Sequence, residues 1–76
     1  MDTKLSDALL TILKQPAKGN MAYAQSYASI VFEAQMEGEE LKSQLAYILA
    51  NLDYWRGEEA RKAKAVLRKY YKLSFN

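Results

Sequence analysis

One proline and three glycines divide this chain into four segments that are otherwise rich in helix-forming residues. The dividing positions are Pro16, Gly19, Gly38 and Gly57. Between them Ala, Leu, Lys, Glu, Gln, Met and Arg dominate, whereas Val, Ile and Thr are few, and this balance favours helix over strand. We therefore predict an all-α fold, a small bundle of four short helices that forms one domain over residues 1–76.

The first segment predicts an amphipathic helix over residues 3–14. Its apolar residues recur at the i, i+3, i+4, i+7 and i+8 positions that place side chains on one helix face. They are Leu5, Ala8, Leu9, Ile12 and Leu13. Pro16 disfavours helical geometry at Gln15 and provides the stop. A loose attachment of residues 1–15 to the rest of the domain is left open.

The second segment predicts a helix over residues 21–36, with Asn20 as its N-cap. Apolar and aromatic residues surround most of this helix, so we expect it to be the central one, contacted on several sides. These residues are Tyr23, Ala24, Tyr27, Ala28, Ile30, Val31 and Ala34.

Two similar openings, GEEL at 38–41 and GEEA at 57–60, begin the third and fourth helices. Acidic residues in a first turn interact favourably with the positive end of the helix dipole. The buried stripe of the third helix is predicted to be Leu41, Leu45, Ile48, Leu49 and Leu52. That of the fourth, which runs to about residue 72, is Ala60, Ala63, Leu67, Tyr70 and Tyr71. Residues 73–76 are expected to be a frayed tail.

Composition excludes several kinds of stabilisation and chemistry. The 76 residues include no cysteine and no histidine, so neither a disulfide nor an ordinary zinc site can form, and we expect no metal and no cofactor. Because so short a chain buries little surface and half of its residues are hydrophobic, we expect self-association, as a dimer. The sequence shows no signal peptide and no membrane-spanning stretch, which predicts a cytoplasmic protein that does not enter membranes.

Positive charge is concentrated near the carboxyl end. Residues 56–72 carry seven cations and two acids, whereas residues 1–55 carry four cations and seven acids. Arg61, Lys64, Arg68 and Lys72 follow helical spacing along one face, which we call the basic stripe, and Arg56 precedes them. These five cations are the predicted binding residues, for an acidic protein or for nucleic acid. The alternative is an ordinary solvated helix face.

The only tryptophan, Trp55, lies beside Arg56 at the junction of the third and fourth helices. A Trp–Arg pair at a corner is typical of an interface hot spot, so Trp55 is a candidate interface anchor. The alternative is that Trp55 closes the end of the hydrophobic core.

The pattern YILANLDYWRGEEARKAKAVL, at residues 47–67, resembles short uncharacterised helical proteins of phages, prophages and other mobile elements. The resemblance extends over residues 38–72. It implies a mobile-element origin and no particular activity.

No phosphate-binding glycine loop, nucleophile motif or metal-ligand pattern is present, and the acidic clusters are explained as helix starts, so we do not expect an enzyme. The sequence predicts a non-enzymatic accessory protein that binds a protein partner or itself. Nucleic-acid binding through residues 56–72 is the alternative.

Overall fold

The computed structural model describes residues 1–73 and contains four α-helices in that range. They are α1 (Thr3–Leu13), α2 (Asn20–Ala34), α3 (Gly38–Ala50) and α4 (Glu58–Leu73). Within the described residues there is no β-strand, which confirms the predicted all-α bundle. Residues 74–76 of the expected frayed tail lie outside the described part of the chain, and Leu73 is the last residue of α4.

The helices form a ring in which each packs against two neighbours: α1 on α2, α2 on α3, α3 on α4, and α4 back on α1. Contacts between helix ends give their directions. The Met1 amino group donates to the Gln35 side chain at the end of α2, and Gln15 after α1 donates to Glu59 at the start of α4. Successive helices are therefore antiparallel, and the bundle runs up and down.

The hydrophobic core lies inside this ring and draws on all four helices. The largest completely buried side chains are Leu9, Ile12, Val31, Leu45, Ile48, Leu52 and Leu67. Most of the core positions predicted for α1, α3 and α4 are buried, whereas Leu13, Leu49, Tyr70 and Tyr71 are only half-buried and pack against the core from its edge.

The packing of α1 differs from the loose attachment left open above. Asp2 caps the helix by accepting a hydrogen bond from the Lys4 amide at 2.8 Å. Leu9 and Ile12 are completely buried, and α1 contacts both α2 and α4. The first helix is thus an integral part of the bundle.

The expectation that α2 is the central helix is wrong. It occupies an ordinary place in the ring, with Tyr23 64% exposed and Ile30 48% exposed. Its inner side is made of small and medium residues, namely Met21, Ala24, Ala28 and Val31. Apolar residues around a whole helix can mean burial on several sides or an apolar outer surface, and here they mean the second.

The ends of α2 also differ from the prediction. Asn20 is the first helical residue rather than the N-cap; the cap is Gly19, at φ 53°, and no side chain caps the helix. The helix stops at Ala34 because Gln35 adopts the left-handed conformation, at φ 50°. Gly38 therefore does not break α2 but begins α3.

Candidate binding groove at the start of the fourth helix

The turn between α3 and α4 and the first half of α4 enclose a surface groove of about 290 Å³. We call it the corner groove. It is lined by Trp55, Arg56, Gly57, Arg61, Lys64 and Arg68. Four of the five cations predicted from the sequence, together with the predicted anchor Trp55, are thus brought to one concave surface.

The turn over residues 51–57 places the first of these residues. The Leu52 amide donates to the Leu49 carbonyl at 3.1 Å, and the Trp55 amide donates to the Leu52 carbonyl at 3.0 Å. Because the Leu52 side chain is completely buried, it fixes the start of the turn to the core. Gly57 then has φ 112°, a backbone conformation that residues with a side chain rarely adopt, and it leads the chain into α4.

Trp55 contacts both the hydrophobic core and the corner groove. Its side chain is half-buried and packs against the core, so it closes this end of the bundle. It also lines the corner groove, where part of the indole remains accessible to a ligand. A rigid aromatic surface beside cations is therefore available.

Lys64 is the most constrained of the four cations. It is half-buried, and its ammonium group donates to the Trp55 carbonyl at 2.5 Å, which ties α4 to the turn. Burial lowers the pKa of Lys64, and the neighbouring charges of Arg68 and Arg56 lower it further, while Asp53 acts in the opposite direction. A bound anion would offset the mutual repulsion of these neighbouring cations.

The three arginines differ in how free they are. Arg61 is paired with Glu58 at 2.5 Å, and Glu58 also lies 3.8 Å from Lys62, four residues further along the helix. These pairs are exposed and therefore weak. Among the described residues, Arg56 and Arg68 make no ion pair and no side-chain hydrogen bond, so their guanidinium groups are available to a ligand.

Lys72 does not line the corner groove. It is exposed near the carboxyl end of α4, about one turn beyond Arg68, and it prolongs the basic stripe. A ligand confined to the corner groove would not need Lys72, whereas a longer one lying along α4 could contact it.

A second surface was not foreseen from the sequence. Tyr23, Tyr27 and Ile30 of α2 and Tyr47 of α3 form an outer patch that we call the aromatic face. The rings of Tyr27 and Tyr47 stack with centroids 5.3 Å apart and an interplanar angle of 25°, and Tyr47 is 52% exposed. The signal was present as i, i+4, i+7 spacing in α2, but it had been attributed to burial in the core.

Within residues 1–73, no group of three Asp or Glu side chains is placed to hold a metal ion. A further cavity between α1 and α4, of about 270 Å³, has Lys4 and Lys62 balanced by Asp7 and Glu59. None of the four described helices is long and apolar enough to span a membrane.

No protein-family model, curated protein or solved structure matches this chain.

Proposed function

We propose that this chain is a non-enzymatic binding protein that recognises an acidic segment of a protein partner through the corner groove. The observation that carries the proposal is the convergence of Trp55 with four cations in one concave surface. We propose further that it acts in the cytoplasm as an accessory protein of a mobile element, the origin that the resemblance of residues 38–72 implies.

The chemistry of the groove suits carboxylate groups. Arg56 and Arg68 present planar guanidinium groups that can bind a carboxylate through two parallel hydrogen bonds. Lys64, whose ammonium group donates to the Trp55 carbonyl, adds a third cation to the groove. Trp55 adds apolar area, and Trp and Arg are the residue types that most often dominate protein interfaces.

Nucleic acid is the second candidate, and one observation favours it. The basic stripe continues past the groove to Lys72, so a polyanion could follow α4 while a base stacked on Trp55. Seven residues separate Ala50 at the end of α3 from Glu58 at the start of α4. That connection is longer than the turn of about three to four residues in a helix-turn-helix motif, so α4 is not placed as a recognition helix for duplex DNA.

A charge-reversal experiment tests the proposal. The double variant Arg61→Glu, Arg68→Glu inverts the field of the corner groove, and both residues are exposed, so the fold should be retained. The matched control is Lys62→Glu, Lys69→Glu, which makes the same change in net charge on the same helix with both residues outside the groove. Binding is measured with a peptide rich in Glu and Asp and, separately, with an oligothymidylate.

We expect the groove variant to lose peptide binding by at least about tenfold while the control retains it, and both to melt within a few degrees of the parent protein. Equal losses in the two variants would mean that net charge alone, and not the groove, governs binding, and would contradict the proposal. Binding of the oligothymidylate in preference to the peptide, with affinity falling steeply as salt rises, would replace the protein partner with single-stranded nucleic acid.

A further inference from the structure

Charged residues are absent from the two stretches of chain that build the aromatic face. The sequence has 20 charged side chains, yet none lies in residues 19–32 or 43–52. The first stretch covers most of α2 and the second covers most of α3. Depletion of charge together with enrichment of tyrosine is the composition of the central part of a protein–protein interface.

The aromatic face is also exposed and shaped for contact. Tyr23, Ile30 and Tyr47 are each about half exposed or more, and the stacked rings of Tyr27 and Tyr47 hold the two helices together beneath it. Removing such a patch from water lowers the free energy, so on a bundle of this size it favours association. A cationic groove at α4 cannot cover it in a second copy, because cations would lose water without gaining an acceptor.

Charges at the two ends of the aromatic face are of opposite sign. Lys14 and Lys18 are the charged residues of segment 14–20, whereas segment 33–40 contains Glu33, Glu37, Glu39 and Glu40 without a cation. Lys18 lies beside Gly19, Asn20 and Tyr54 at one end of the α2–α3 pair. Asp53 also lies at that end, and its negative charge interacts electrostatically with Lys64 of α4.

This polarity selects one arrangement for a symmetric pair. Tyr27, near the centre of the aromatic face, lies nine residues after Lys18 and ten residues before Glu37. If α2 packs antiparallel to α2 of a second copy about an axis near Tyr27, Lys18 of each chain lies beside the partner's Glu37. A parallel arrangement would instead place acid against acid.

We infer that the aromatic face is the interface of a homodimer in which the α2 helices of two copies pack antiparallel, with Lys18 of each chain paired with the partner's Glu37. A twofold axis makes this surface complementary to itself, since an uncharged centre meets an uncharged centre and each end meets its opposite. No residue of the aromatic face lines the corner groove. The inference does not depend on what the corner groove binds.

The test is the dimer dissociation constant of the full chain, measured by sedimentation from low to hundreds of micromolar. Tyr23→Glu places a charge within the face, one helical turn from Tyr27, at a side chain that is 64% exposed and so not needed by the core. The matched control is Leu10→Glu, which puts the same charge on an exposed apolar residue of α1, 42% exposed and outside the face. Circular dichroism checks that each variant is folded, and Ile30→Lys repeats the test if Tyr23→Glu is not.

We expect the parent protein to dimerise, Tyr23→Glu to raise the dissociation constant at least about tenfold, and Leu10→Glu to leave it within about twofold. For the orientation, Lys18→Glu and Glu37→Lys should each weaken the dimer, and the two changes combined should restore it. Neither side chain makes a hydrogen bond or ion pair with another described residue, so the swap leaves the fold intact.

Three results would overturn the inference. A parent protein that is monomeric at every concentration removes the dimer. Equal effects of Tyr23→Glu and Leu10→Glu remove the aromatic face as its site. Failure of the double charge exchange to restore association removes the antiparallel arrangement.

Discussion

The outer surfaces of the α2–α3 pair and of α4 are opposites, although the same core supports both. The aromatic face of α2 and α3 is uncharged, whereas five of the nine exposed residues of α4 are cations. Their inward sides are alike: α2 buries Ala24 and Ala28, and α4 buries Ala60 and Ala63, each beside a larger aliphatic residue. Both helices therefore pack small residues into the core in the same way. They differ in their outer surfaces, which are the surfaces that we propose to bind partners.

The difference also explains why one helix was easier to interpret than the other. In α4 the solvent side is strongly polar, so the apolar stripe stands out and the rotation of the helix follows from spacing. In α2 both the core side and the outer side are apolar, so spacing cannot distinguish them. A helix that is apolar on both sides can thus be one whose outer side forms an interface with another molecule.

The largest effect should come from the core that both surfaces share. Leu45 is completely buried in α3, and Leu45→Ala removes its packing and leaves a cavity. We expect a loss of about 2–5 kcal/mol in the free energy of unfolding, which is a large part of the total for a domain whose stability is about 5–15 kcal/mol. Thermal unfolding followed by circular dichroism measures it.

The control for that change is Ser43→Ala, on the exposed side of the same helix, which should alter the unfolding free energy by less than about 0.5 kcal/mol. If Leu45→Ala melts like Ser43→Ala, α3 is rotated differently from the structure, and the aromatic face and the corner groove would both have to be redrawn.

A smaller effect should come from Gln25, which lies on the α1-facing side of α2. Its side-chain amide donates to the Ile12 carbonyl at 3.0 Å and to the Gln15 carbonyl at 2.6 Å. These bonds satisfy the carboxyl end of α1, whose last carbonyls have no partner within the helix. Gln25→Leu keeps the size of the side chain but removes both donors, and we expect a loss of about 1–3 kcal/mol.

The neighbouring Ser26→Ala is the control for Gln25. Ser26 is exposed, and its hydroxyl donates only to the Ala22 carbonyl of its own helix, so its loss should cost less than about 0.5 kcal/mol. Equal melting of the two variants would show that α1 is held by the core alone. It would also show that the hydrogen bonds of Gln25 add nothing measurable to the free energy of unfolding.

The sequence predicted most of the fold and part of the site. Helical spacing gave α1 and α4 to within a residue or two, and it placed Arg61, Lys64 and Arg68 on one face. The start of α3 was also predicted, but Leu52, assigned to its buried stripe, lies in the turn after the helix. The addition of Trp55 and Arg56 to that face depends on the turn over residues 51–57. Its shape is set by the buried Leu52 and by Gly57, and spacing does not encode it.

Gln25 and the end of α2 were missed for physical reasons of their own. No role for Gln25 followed from the sequence, because a polar residue of an amphipathic helix usually faces solvent, whereas Gln25 turns inward to a neighbouring helix end that needs a donor. The stop at Ala34 depends on Gln35 adopting a left-handed conformation, which glycine adopts far more readily. With Gly38 three residues further on, the stop was assigned to the wrong residue.

The smallest expected effect, and the sharpest comparison of the two regions, uses the repeated GEE openings. Glu58 begins α4 and pairs with Arg61, whereas Glu39 occupies the first turn of α3, is exposed and makes no ion pair with another described residue. Glu58→Gln and Glu39→Gln each remove one acid from a first turn, so each should lower the unfolding free energy by about 0.3–1 kcal/mol through the helix dipole. Only Glu58→Gln also frees a groove arginine, and it should therefore tighten binding of the acidic peptide by a few-fold while Glu39→Gln leaves binding nearly unchanged. Titration of the peptide against both variants at one salt concentration measures the difference. Similar gains in the two variants would mean that the peptide responds to net charge, and the corner groove would then be no more specific a surface than the rest of the chain.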